Sequence, residues 1–422
     1  MFSMCSSEVP SEAEARARQS TSGPRVSRAK LVGAIVTLVA VGALLTGCGA
    51  SASSRALDST EARGAPARFT PQSITRVGTS DEVVLAGTVP CGREVCAALV
   101  AGSVGPDGLV HRWSTLRAPP VGAAPTAESL DIGSLVFANR LDAYDVVSSM
   151  TPTGTTRLFA TTTGGREWRR VRIDSGRTES FVASAARFYA VTVRCVGLRC
   201  EDQLASSEVG TTRWSTTPIP RTTLDVDPIG LAVVGSRVLV NFDAPVTGAE
   251  PLLLSSRDGQ PPFHIATVPA LQSVSACGLH PEPDGVIWAA CPTGMLVSYL
   301  RSPGPNSHFA HVWTYAGTGG GGLVPVTGEI AYRYTGVATF GPARVPGDVL
   351  QRSTDGGAHF ITVGRWPFAS NVGTSPQLLF LSEQDGFGLG FPPSVHVSTE
   401  ARSIRVLFET SDGGRHWRRA LT

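Results

Sequence analysis

Two eight-residue stretches near the end of the chain are almost the same. They are Ser353-Thr354-Asp355-Gly356-Gly357-Ala358-His359-Phe360 and Thr410-Ser411-Asp412-Gly413-Gly414-Arg415-His416-Trp417. Both fit Ser/Thr-x-Asp-x-Gly-x-x-aromatic, and each follows an apolar run, Asp348 to Leu350 in one and Ile404 to Phe408 in the other. This chemistry predicts a tight β-turn. The aspartate accepts backbone N–H bonds within its own turn, and glycine takes positive φ without a Cβ clash. The aromatic then opens the next strand, with its face available for burial between neighbouring sheets.

Weaker copies lie upstream. Trp168 follows Thr161-Thr162-Thr163-Gly164-Gly165, with Thr163 in the aspartate position. Phe263 follows Ser256-Arg257-Asp258-Gly259, with Gln260 in place of the second glycine. Trp214 follows Ser207, with Val209 and Thr211 replacing Asp and Gly. Trp113 follows Pro106-Asp107-Gly108 out of register by one, and Trp313 keeps the aromatic alone. Residues 113, 168, 214, 263, 313, 360 and 417 are 55, 46, 49, 50, 47 and 57 positions apart, and near-constant spacing of this kind marks a repeat fold. Each unit divides into four short apolar runs. In the last they are Leu378–Leu381, Phe387–Phe391, Ile404–Glu409 and His416–Ala420; in the fifth, Val274–Cys277, Val286–Cys291, Met295–Tyr299 and Val312–Ala316. The 46 glycines and 30 prolines suit short strands joined by turns. The expected fold is therefore all-β, a propeller of four-stranded blades over residues 73–422. Seven blades are favoured, with six or eight open.

The turn motif resembles the Asp-box of bacterial neuraminidase repeats, the signature of sialidase-type β-propellers. On that resemblance Ser353, Asp355, Gly357 and Phe360, then Thr410, Asp412, Gly414 and Trp417, then Thr161, Gly165 and Trp168, are structural positions. Sialidases are six-bladed and hold a substrate carboxylate with three arginines, the first in an Arg-Ile-Pro-type motif ahead of the first Asp-box. Residues 73–105 have no such motif, and Arg344-Val345-Pro346 comes far too late. No tyrosine stands in a nucleophile motif. The last two units are also similar to assembly-factor propellers of photosynthetic organisms, a resemblance that implies protein binding.

The N-terminus reads as an export signal. Arg25-Val26-Ser27-Arg28-Ala29-Lys30 precedes an apolar run from Leu31 to Leu45, too short for a membrane span and suited to a signal-peptide core. Leu45-Thr46-Gly47-Cys48 resembles a bacterial lipobox, which implies that Cys48 is acylated and becomes the first residue after cleavage. The expected organisation is a lipoprotein signal peptide over 1–47, a lipidated cysteine and flexible tether over 48–72, and the propeller beyond. The partner at this end is the lipid bilayer, and the expected location is the cell membrane, lipid-anchored on the extracytoplasmic side.

Beyond Cys5 and Cys48 six cysteines remain. Thr88-Val89-Pro90-Cys91 with Cys96 parallels Thr192-Val193-Arg194-Cys195 with Cys200, and Cys277 and Cys291 flank the turn Pro281-Glu282-Pro283-Asp284-Gly285. Three local disulfides follow, Cys91–Cys96, Cys195–Cys200 and Cys277–Cys291, as an oxidising compartment permits. No Cys-x-x-Cys or histidine pair at zinc spacing accompanies them, so neither metal nor cofactor is expected. His111, His264, His359 and His416 sit beside repeat aromatics and read as structural; His308 and His311 share one loop without an acidic partner.

Residues 1–47 carry three acids and five bases, leaving 31 of each in the remainder. A neutral domain has no global basic field, so nucleic acid is not an expected partner. No Gly-x-Ser-x-Gly, phosphate loop or His-Glu-x-x-His occurs. The expectation is a non-catalytic monomer that binds an envelope protein or glycan. The alternative is an extracellular sialidase-type glycoside hydrolase with a diverged site. The binding candidates are Phe340 and Arg344 in the connection Thr335–Gly347, and His396 and Arg402 in Pro392–Ser403, beside the Cys91–Cys96 loop.

Overall fold

A computed structural model describes residues 64–124, 130–149, 157–173, 177–196, 199–220, 228–242, 253–266, 277–293, 296–305, 307–316, 322–335, 349–365, 367–368, 377–392 and 405–421. These form seven four-stranded antiparallel sheets, each a simple meander, arranged as a β-propeller; the described residues contain no helix. The blades span residues 70–116, 130–171, 177–218, 228–266, 278–316, 322–365 and 377–419. Within each, the strands are termed a to d in chain order.

Every interface between successive blades has its own apolar cluster. Between blades 1 and 2 it gathers Val84, Leu99, Phe137 and Phe159, and between blades 6 and 7 Tyr332, Leu350, Phe380 and Val406. The repeat aromatics belong to these clusters: Trp168, Trp214, Phe263 and Trp417 each pack at the interface with the preceding blade. Trp313 and Phe360 both enter the cluster shared by blades 5 and 6. There the Arg333 guanidinium lies between them, 4.7 Å from the Trp313 ring centre and 4.1 Å from that of Phe360. Trp288, fully buried, donates Nε1–H to Thr327 O of blade 6 at 3.2 Å.

The ring closes without exchanging a strand, since blade 1 is built wholly from residues 70–116 and blade 7 from 377–419. Side chains supply the join. Gln377 donates Nε2–H to Ile74 O (2.8 Å) and accepts from Ile74 N–H through Oε1 (3.0 Å), acting as one rung of a sheet between the two strands a. Glu409, buried on strand c (Val406–Thr410), accepts Val110 N–H at 2.9 Å and the Arg418 Nε–H at 2.8 Å. Trp113 donates Nε1–H to Ala420 O at 3.1 Å, as Trp168 does to Arg117 O at 2.8 Å between blades 1 and 2. The seam thus reuses an ordinary interface contact.

Boundaries differ locally from the sequence reading. Strand a of blade 1 (Thr70–Arg76) begins upstream of 73, and Gly64 already bonds to strand d (Val110–Leu116), through its N–H to Trp113 O and its carbonyl from Thr115 Oγ1. In blade 5 the described strand a is Gly278–Pro281; of the expected run Val274–Cys277 only Cys277 lies within the described residues. The residues of that strand a pair with Ile287–Ala290.

Two predictions follow from the packing. Glu409→Ala leaves the buried Val110 N–H unsatisfied and should cost about 2–4 kcal/mol. Urea unfolding should show the loss, with faster amide exchange over Thr70–Arg76. Gly414→Ala places a Cβ 2.2 Å from Leu350 Cδ2 at φ +82°. Strain and overpacking together should cost about 2–4 kcal/mol in the same assay.

Candidate functional site

Strand alternation puts the a–b and c–d turns at one end of every blade and the b–c and d–a connections at the other. At the turn end the two motif copies have one geometry. Ser353 Oγ donates to Asp355 Oδ1 (2.8 Å) and accepts Gly357 N–H (2.8 Å); Asp355 accepts His359 N–H (2.9 Å) and meets His359 Nδ1 through Oδ2 (2.7 Å). Thr410, Asp412, Gly414 and His416 repeat this set at 2.9, 2.9, 3.0 and 2.6 Å. In blade 2, Thr161 accepts Gly165 N–H (3.0 Å), and the hydroxyl of Thr163 takes Glu167 N–H (3.0 Å) in place of a carboxylate. The N–H of His359 first, then its ring and Ser353, hold the Asp355 carboxyl down at about 2.

The c–d turn also backs onto the a–b turn of its own blade. Gly164, Val209, Asp258, Gly356 and Gly413 donate N–H to the carbonyls of Leu141, Ala186, Ser236, Glu329 and Gln384. This alignment shifts the blade 4 copy. Asp258 (φ 52°) occupies the first-glycine place and Gly259 (φ 71°) the second, making a two-residue hairpin between Arg257 and Gln260. The aspartate there shapes the backbone and caps nothing. His111 pairs with Asp107 at 2.8 Å, so three of the motif histidines have an aspartate four residues earlier. Among the described residues no group of three or more His, Cys, Asp or Glu side chains could hold a metal ion.

Disulfides join Cys91 to Cys96 and Cys277 to Cys291. In blade 3 the backbone register sets Cys195 opposite Cys200, one residue out of step with blade 1, where Cys91 faces Glu94. The side chains of Cys195 and Cys200 lie outside the described residues. So do Cys48, Phe340, Arg344, His396 and Arg402.

Two features had no local signal in the sequence. The first is a groove of about 890 Å³ at the outer rim of the seam between blades 7 and 1. Arg68, Arg112, Arg405 and Arg419 line it, with Trp113 and the segment Gly64–Phe69 as walls. No carboxylate lines it, and none of the four guanidinium groups has a carboxylate partner among the described residues. Arg405 is partly buried: it donates to Gln72 O at 2.8 Å, lies 5.8 Å from the Phe391 ring centre, and has its pKa lowered by desolvation. These arginines come from four separate segments, so only folding assembles them.

The second feature is at the turn end of the inner strands. Arg76 donates to Ser80 O (2.8 Å) and Thr79 O (3.0 Å), and its charge acts on Glu282 of blade 5. Burial, reinforced by Asp284 and opposed by Arg76, pushes the Glu282 carboxyl up to about 8. Folded protein thus holds a proton that the unfolded chain releases near 4.5. Stability should fall as pH rises from about 4.5 to about 8 and then level. Glu282→Gln should flatten that slope in urea melts across the window; an unchanged slope would assign the titration to another group.

Among solved structures the chain is similar to an oligogalacturonate lyase in complex with manganese (TM-score 0.53, 11% identity, covering 83% of this chain and 92% of that one). It is also similar to a puromycin hydrolase (TM-score 0.53, 14% identity, covering 84% of this chain and 53% of that one). YCF48 bound to D1 peptide matches with a TM-score of 0.45, 16% identity, and 78% and 91% of the two chains covered. The first two likenesses show the propeller fold alone. No protein-family model and no curated protein sequence matches the chain.

Proposed function

We propose that this chain is a non-catalytic lipoprotein of the cell envelope, anchored through acylated Cys48, whose propeller holds a protein or glycan partner. The observation that supports this reading is the saturation of the turn end. There the hydroxyls, aspartates and histidines of the blade 6 and 7 copies are engaged with their own turns, and in five blades the c–d backbone bonds the a–b turn of the same blade. Recognition then falls to the opposite end, where the long connections 336–348 and 393–404 carry Phe340, Arg344, His396 and Arg402. A rigid ring carrying variable loops suits binding, and the fold itself is neutral about chemistry.

The test is crosslinking of the anchored protein in its own membranes, with wild type beside Phe340→Ala/Arg344→Ala/Arg402→Ala. One specific adduct should form with wild type and drop at least tenfold in the triple variant, with the melting temperature unchanged. Equal adduct in both would remove the loops from the reading. Robust turnover of a fluorogenic sialoside by the purified protein would replace it with the glycosidase. Cys48→Ala should release the protein from membranes.

A further inference from the structure

The seam groove is a cationic site that its own walls do not balance. At three other blade interfaces an arginine meets an acid: Arg140 with Glu82 at 2.9 Å, Arg301 with Glu329 at 2.6 Å, Arg352 with Glu383 at 2.7 Å. In the groove Arg68, Arg112, Arg405 and Arg419 have no such partner among the described residues. The cost is largest at Arg405, which is partly desolvated with a backbone carbonyl and an aromatic ring for company. A desolvated guanidinium without a counter-ion is unfavourable, and an arriving anion relieves that. Arginine forks match phosphate oxygens two at a time.

The second observation is continuity. One wall of the groove is Gly64–Phe69, tied to strand d of blade 1 by Gly64, and Cys48 stands 16 residues upstream of Gly64. The intervening residues open with Ala50-Ser51-Ala52-Ser53-Ser54 and go on to Arg55, Asp58, Glu61 and Arg63; they lie outside the described residues, and sixteen residues reach at most about 55 Å. Gly64–Phe69 is the first described segment downstream of Cys48.

We propose that the seam groove docks phosphate headgroups of an anionic bilayer and so sets the propeller's orientation on the membrane. The proximity of a bilayer rests on the anchor reading given above; the anion site rests on the groove alone. Docking at the outer rim leaves the b–c and d–a connections free for a partner. The seam that closes the ring is also the contact that orients it.

The experiment reconstitutes the full lipidated protein into nanodiscs of phosphatidylcholine, alone or with phosphatidylglycerol, and follows amide exchange over Gly64–Phe69 and Arg405–Leu407. Phosphatidylglycerol should slow exchange in both segments. Arg405→Gln and Arg419→Gln should each reduce that protection about fivefold, the effect of one basic residue at an anionic surface. Arg68→Gln with Arg112→Gln, both exposed, repeats the measurement without touching the partly buried position. Equal exchange in the two lipids overturns the proposal. Protection by free glycerol phosphate that phosphatidylglycerol does not exceed also overturns it, in favour of a soluble phosphate ligand; protection by polyglutamate alone does so in favour of an acidic protein. The anchor is read separately from the mass of the N-terminal peptide. An unlipidated chain that still sediments with phosphatidylglycerol vesicles, and not with phosphatidylcholine, keeps the groove and removes the anchor.

Discussion

Closure between blades 1 and 7 is the contact on which the whole ring depends, because no strand is shared across it. Its strength comes from ordinary interface parts. An apolar cluster of Ile74, Leu85, Val100 and Trp113 meets Phe387, Leu389 and Leu407. Gln377 imitates a backbone rung on both sides of Ile74, and Glu409 satisfies a buried N–H from the neighbouring blade. A linear array of repeats leaves two terminal faces exposed and frays from them. Joining those faces with the chemistry used elsewhere removes the ends, so each blade is supported from both sides.

The repeat turn shows why some positions persist and others drift. The second glycine has two duties: it sits at positive φ and lies flat against the preceding blade, as Gly357 does against Val312 and Trp288. Asp355 and Asp412 have one, the capping of their own turns, and in blade 2 the hydroxyl of Thr163 does that work. The aromatic fills an interface whatever the turn looks like. Loss of the aspartate with retention of the aromatic is the order of drift expected when packing between blades outweighs one local hydrogen bond.

This difference also sets how much of the molecule was legible in the sequence. Blade number was legible because the aromatics at 113, 168, 214, 263, 313, 360 and 417 recur through a constraint acting once per blade. Register was less so. The blade 4 copy looks in frame as Ser256-Arg257-Asp258-Gly259, yet Asp258 takes the first-glycine φ, because a hairpin one residue shorter satisfies the same bond to Ser236 O. The Cys91–Cys96 and Cys195–Cys200 hairpins share spacing but differ in pairing because the two residues between the last paired positions begin one place later after Cys195 than after Cys91, which the spacing does not reveal. The groove was not legible. Arg68, Arg112, Arg405 and Arg419 are far apart in sequence, and all but one of the 36 basic residues are arginine, so none stands out.

What sets those four arginines apart is that they line one groove together without a carboxylate among its walls. At three other interfaces, between blades 1 and 2, 5 and 6, and 6 and 7, a carboxylate (Glu82, Glu329 or Glu383) faces the neighbour's arginine. At the seam Glu409, immediately before Thr410, stands where Arg352 stands before Ser353 in blade 6, and it meets Val110 N–H and Arg418 instead of a turn carboxylate. The entering segment Gly64–Phe69 brings Arg68 and no acid to balance Arg405 or Arg419. The join therefore has a net positive rim beside it, assembled from the entering segment, strand d of blade 1 and strands c and d of blade 7.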